Sequence, residues 1–280
     1  MDQLLAMELF KIRKRMMTWI LFAVLGAFMI LYVVLSYLSV TSLHSGLPDN
    51  AYNALVKALQ FPIAATLVLS VIQGVGVILI VILSASIIGN EYGWGTVTQI
   101  IGRTGRRPDY VRSKIFAIIV VTLLLVLFGL ALGWLVTMFT TYKLTGHLSF
   151  SFFDLSFAGK LLKMFLWTAF TIVVYGLMAV LFATLARSVV AGIGATLGYY
   201  LIIENILIGV LNSSRGWTHR IPDYIIGHNA SSLLQTGIEG PFGGQNAPPS
   251  GIHATIVLLA YSAVFIALIL RLFRRQDLTA

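Results

Sequence analysis

Glu204 is the only Asp, Glu, Lys or Arg inside the six long apolar runs of this 280-residue chain. It stands about sixteen residues into a run that begins near Val189, or roughly 24 Å along a helix. That depth lies in the far part of a bilayer. A carboxylate there is costly unless it faces a cavity, a partner or the interface. Its chemistry would be that of a proton site, an outer gate or a substrate contact. The structural alternative is pairing with Arg215, Arg220 or Tyr199, or snorkelling outward. Tyr199 and Asn205 flank it, and Gln73 sits in another apolar run. These four residues are the candidate substrate path or gate. For Gln73 the weight falls on helix packing, because a buried amide can bond across helices.

A second constellation is a polar island between two uncharged runs. It opens with Asn90-Glu91-Tyr92-Gly93-Trp94-Gly95-Thr96 and continues through Arg103, Arg106, Arg107, Arg112 and Lys114. Thr96-Val97-Thr98-Gln99 is a capping box, with a hydroxyl at the N-cap and an amide three residues on. Ile100 and Ile101 follow, and Gly102 is a C-terminal stop. The pattern predicts a short helix over 96–101, preceded by a bend at Gly93–Gly95. Pro108 then starts a second helix that continues into the next apolar run. A short capped helix suits a plug for a groove on another protein. An ordinary basic loop held against anionic lipid explains the arginines equally well.

Other chemistry is missing. No GxxxxGK[ST] phosphate loop occurs, so the chain does not bind ATP in that manner. HExxH, GxSxG and paired intramembrane carboxylates are absent too, which argues against an enzyme. With no cysteine there are no disulfides, thiolate metal sites or cysteine nucleophiles. His44, His147, His219, His228 and His253 fall in connections or at run ends, and solvated loop histidines are commoner than metal ligands.

The elements that must position these residues follow from hydropathy. At 58% hydrophobic and 10% charged, with mean hydropathy +0.92, the chain reads as an integral membrane protein. The expected fold is all-α, one domain over residues 1–280 with six spans, near 17–40, 62–89, 115–140, 164–186, 189–211 and 253–270. Residues 2–16 carry Leu5, Leu9, Ile12 and Met16 at helical spacing, with Lys11, Arg13, Lys14 and Arg15 at the end, and Glu8 one turn before Lys11. They predict an amphipathic helix on the inner face feeding the first span. Arg187-Ser188 is a tight turn between spans four and five. With both termini inside, thirteen basic residues lie in the inner segments and six in the outer ones, as the positive-inside rule requires. The formal charge of +9 is then explained by anionic lipid without nucleic acid.

Glu91, Gly95-Thr96, Ile100-Ile101, Arg107 and Lys114 together resemble the cytoplasmic loop of ABC-2 type permeases, the membrane subunits of ATP-binding-cassette exporters. Pro108 follows Arg107 here, where in that family the proline precedes the arginine. Ile221-Pro222-Asp223-Tyr224, His228-Asn229-Ala230 and Leu233-Leu234 resemble that family's outer segment, which forms short re-entrant helices between spans five and six.

The resemblance implies a non-catalytic permease in a bacterial or archaeal cytoplasmic membrane, multi-pass, with both termini cytoplasmic. It implies export of an amphipathic, drug-like, peptide or lipid-linked substrate. Two P-loop ATPase subunits would hold ATP and Mg, and a second permease copy or paralogue would complete the complex, with no cofactor on this chain. Residues 96–101 would be the coupling helix, and Glu91, Tyr92, Gly95, Thr96, Gln99, Ile100, Arg103, Arg106 and Arg107 would couple to the ATPase. The alternative is a proton-coupled secondary carrier using Glu204.

Overall fold

The computed structural model describes residues 2–42, 56, 63–95, 107–147, 154–212, 220–235 and 249–275. They are almost wholly helical, with no strand among them. In chain order the helices are α1 (Asp2–Lys14), α2 (Met16–Ser42), α3 (Ile63–Gly93), α4 (Arg107–Thr145), α5 (Leu155–Ala186), α6 (Val189–Gly198), α7 (Glu204–Asn212), α8 (Ile226–Gln235) and α9 (Gly251–Arg275). A π-turn, Tyr199–Ile203, joins α6 to α7, and a 3-10 turn, Pro222–Tyr224, precedes α8. Six of these stretches are long and apolar enough to cross a membrane: α2, α3, α4, α5, α6 through α7, and α9. The chain therefore has the character of a multi-pass membrane protein.

The core lies between α3 and α5, the pair in most extensive contact. Of the apolar window in α5, 78% is buried, against 11% in the α6–α7 stretch, so α5 is central and α6–α7 peripheral. One close approach to a neighbouring backbone is at Gly89 of α3. A Cβ there would stand 2.7 Å from the backbone nitrogen of Val189, so only glycine lets the start of α6 cross α3 at this height.

The turn at Arg187-Ser188 forms as its brevity predicts. Arg187 ends α5 with φ 50° and ψ 35°, and Ser188 begins α6 as its N-cap, its hydroxyl accepting from Ala191 N. The bend after α3 also forms, with Gly95 at φ +65°. α4 starts at the Arg107-Pro108 pair, so it precedes its apolar run by about two turns. The fifth apolar run forms the expected span, Val189–Leu211, and a π-turn interrupts its α-helix just before Glu204.

The predicted helix at 96–101, with Thr96, Gln99 and Ile100, lies outside the described residues, as do Arg103 and Arg106. Of Arg107 only the backbone is described.

Candidate functional site

Two polar constellations stand at opposite ends of the helices, and each is built from residues distant in sequence. The first is a buried ion cluster at the end that carries Arg13, Arg187 and Arg271. α1 brings Glu8 and Lys11, the last turn of α3 brings Glu91, and the first turns of α4 bring Tyr110 and Lys114. Lys114 Nζ lies 3.0 Å from Glu8 Oε2 and 2.9 Å from Glu91 Oε1. Lys11 Nζ lies 3.1 Å from Glu8 Oε1 and 3.2 Å from Glu91 Oε1. The Tyr110 hydroxyl donates to Glu91 Oε2. Lys114 also sits 4.8 Å from the centre of the Tyr110 ring.

The accounting closes electrically: two ammonium groups face two carboxylates. Glu8, Glu91, Tyr110 and Lys114 are each no more than 2% exposed. Charges this deep are tolerated only when paired and hydrogen-bonded. Lys11 is less enclosed. Burial pulls its ammonium down, but Glu91 and Glu8 together outweigh that and hold its pKa above the ordinary lysine value. Phe273 near the end of α9 closes the cluster, its ring 5.6 Å from that of Tyr110 and 6.1 Å from that of Tyr92. Four helices are thereby tied at one point, beside both ends of the island.

The sequence-derived coupling residues are distributed unevenly about this point. Glu91 is enclosed within the chain and holds helices together. Tyr92 is half-buried against Phe273, and Gly95 is exposed in the bend. Lys11, Glu8, Tyr110 and Lys114 were not singled out as site residues. The available signal was scarcity: a chain with ten acidic residues places Glu8 and Glu91 at the edges of apolar runs, facing equally scarce lysines.

The second constellation is a groove of about 440 Å³ at the opposite end, between α3, the π-turn with α7, and α8. Glu204 lies in it, 3% exposed. Its Oε2 accepts from the Tyr175 hydroxyl at 2.7 Å, and its Oε1 accepts from Gly227 N–H. Gly227 is in the first turn of α8, where backbone N–H groups and the helix dipole favour an anion. A Cβ on Gly227 would stand 2.6 Å from the carboxyl carbon, so glycine is what admits the carboxylate. Glu204 is thus partnered by Tyr175 and Gly227 and not by Tyr199 or Arg220. Arg215 lies outside the described residues.

Gln73 and Asn205 line the same groove, with Tyr200 beside them. Gln73 Oε1 is buried and accepts no hydrogen bond among the described residues. Asn205 Nδ2 donates to Tyr200 O and Leu201 O, each at 3.1 Å, taking up carbonyls at the π-turn. Tyr199 does not line the groove; its hydroxyl meets the backbone of Ile226. Tyr200 takes that place, with its ring 5.0 Å from that of Tyr175 and its hydroxyl 3.4 Å from Gly74 O.

Residues 220–235, between the fifth and sixth apolar helices, form the floor of this end. Asn229 Nδ2 donates to Asp223 O and Ile225 O, each at 2.8 Å. The Tyr261 hydroxyl of α9 donates to Tyr224 O at 3.1 Å. Buried Ile226, Leu233 and Leu234 seat α8 on the core.

Residues 57–279 match a family described as a protein of unknown function, DUF2705. The chain belongs to that family. The match takes in the whole of both constellations except Glu8 and Lys11 of α1. No curated protein matches the chain.

Proposed function

We propose that this DUF2705 protein is the transmembrane permease subunit of an ATP-binding-cassette exporter of the ABC-2 type. The observation that carries the reading is the ion cluster beside the island. α3 ends at Gly93 and α4 begins at Arg107, and Glu91 and Lys114, just inside those two ends, are ion-paired to one another and to α1. A force applied to the intervening segment is delivered to α1, α3, α4 and α9 together. That is what a subunit driven from outside the membrane requires.

In this reading residues 96–101 form the cytoplasmic coupling helix, with Thr96, Gln99 and Ile100 on the ATPase. Gly95 gives the bend, and Arg103, Arg106 and Arg107 hold the segment to the inner surface. Glu91 and Tyr92 transmit the movement inward. α1 lies in the inner interface, and both termini are cytoplasmic. The Pro222–Tyr224 turn and α8 form the outer re-entrant element, and the groove at Glu204, Gln73, Asn205 and Tyr200 is the outer part of the substrate path. A second permease copy or paralogue covers exposed Ile202, Ile206 and Val210 of the peripheral span. ATP and Mg reside on two partner ATPase chains, and an amphipathic cargo leaves through the paired permeases of a bacterial or archaeal membrane. Ligand-driven switching of this kind works only through differential affinity for the two access states.

The test is co-purification with a P-loop ATPase and stimulation of its hydrolysis. Charged residues at Thr96, Gln99 and Ile100 should uncouple the two chains. Normal binding and stimulation by that variant would sink the assignment. The second reading, a proton-coupled carrier, draws on Glu204 standing in a groove within an apolar span. It requires transport in vesicles under a pH gradient without ATP, lost in Glu204→Gln.

A further inference from the structure

A further cavity belongs to neither constellation. It is a groove of about 580 Å³ between α1, α2 and α4, with almost wholly apolar walls that include Leu9, Trp19, Phe22, Leu124 and Phe128. Arg13 stands at its edge as the one charged lining residue. Trp19 is 63% exposed, and its indole N–H donates to Arg13 O at 3.0 Å, which fixes an interfacial side chain at the mouth.

The charge around that mouth is unbalanced. Both carboxylates of the neighbouring ion cluster are shared by Lys11 and Lys114. Among the described residues no carboxylate lies in ion-pair distance of Arg13, Lys14 or Arg15. Arg13 is therefore left without a counter-charge among the described residues. The natural complement of a guanidinium is a planar or tetrahedral oxyanion.

We propose that this groove is a binding site for an anionic phospholipid, one acyl chain lying along α2 and α4 and the phosphate held by Arg13. Apolar walls and a cationic mouth at one end match a lipid in both polarity and charge. A zwitterionic lipid would fill the walls equally well but would leave Arg13 less compensated. A bound lipid would pin α1, which carries Glu8 and Lys11 into the ion cluster. The bilayer would then set how firmly that cluster is held. This site is independent of any ATPase partner.

The experiment uses the purified full chain and lipids with brominated acyl chains, which quench nearby tryptophan. The Trp19 signal is isolated as the difference from Trp19→Phe. Brominated phosphatidylglycerol should reach half-quenching at a lower mole fraction than brominated phosphatidylcholine, by roughly fivefold. Arg13→Gln should remove most of that factor, while Arg13→Lys should keep most of it. Arg13 is exposed, so both variants should fold, which circular dichroism checks. Equal quenching by the two lipids overturns the proposal. So does a preference that survives in Arg13→Gln. Absence of Trp19 quenching by either lipid means that another occupant, such as a protein segment, fills the groove, and it overturns the proposal too.

Discussion

Lys114 Nζ is 3.0 Å from Glu8 Oε2, although 106 positions separate the two residues in the chain. This ion pair joins the first helix to the beginning of α4, and through Glu91 it reaches the end of α3. Breaking a buried pair by removing one partner is far costlier than replacing both. Lys114→Met leaves two carboxylates with Lys11 alone. We expect a loss of about 3–5 kcal/mol, read as a fall in thermal unfolding temperature in detergent. Adding Glu8→Gln to it should recover part of that loss. A double variant as unstable as the sum of the singles would show that the two charges do not act through one another.

The carboxylate of Glu204 caps α8, so α8 should loosen when the cap is removed. Gly227→Ala drives a methyl group against the carboxyl carbon, and Tyr175→Phe deletes the donor to Oε2. A hydrogen bond to a charged group contributes about 1.5–3 kcal/mol. Amide exchange in residues 226–235 should therefore quicken by roughly tenfold or more in either variant, since 1.4 kcal/mol corresponds to a factor of ten. Exchange unchanged in both would mean that Glu204 is not what holds α8.

Gly89→Ala tests the crossing of α3 and α6. Its new Cβ would meet backbone atoms of Val189, which cannot rotate away as a side-chain tip would. We expect a destabilisation of about 1–3 kcal/mol or more. Gly93→Ala, four residues on and with nothing near its Cβ position, is the control and should be close to neutral. Equal stability of the two variants would contradict the described approach of these helices.

His228 provides a pH dependence with a definite sign. Burial pushes its imidazolium down, and Asp223, 3.8 Å away, draws it only partly back. Between the folded value and the ordinary one near 6.5, the unfolded segment binds more protons than the folded one. Stability therefore rises with pH across that window and is lost as pH falls below about 6.5. Proteolysis within the 220–235 segment should accelerate on acidification in that range, and His228→Gln should flatten the response. Acceleration on raising the pH instead would reverse the assignment.

How far these features were legible varies with their range along the chain. The turn at Arg187-Ser188, the bend at Gly95 and the start of α4 at Pro108 depend on a few adjacent residues, and local rules were enough. The π-turn at Tyr199–Ile203 has no such mark: its residues are ordinary for a membrane helix, and only the contacts of Asn205 and Tyr200 reveal it. Tyr199 was the natural neighbour to assign to Glu204, yet the π-turn sets Tyr200 on the groove and sends Tyr199 towards Ile226.

By itself the sequence determined six apolar helices, the places where they stop, and the scarcity of charge that makes Glu8, Glu91, Lys114 and Glu204 conspicuous. Those properties follow from hydropathy, backbone preferences and position in the chain, all of which act over a turn or two of helix. Which charges neutralise one another was decided only by the tertiary structure. Glu8 and Lys114 meet because α1 packs on α4, and Glu204 meets Gly227 because α8 folds back beneath it. A buried charge must be compensated, but many cations could in principle have compensated these carboxylates. Packing of the helices, led by close approaches such as Gly89 on Val189, selected the ones that did.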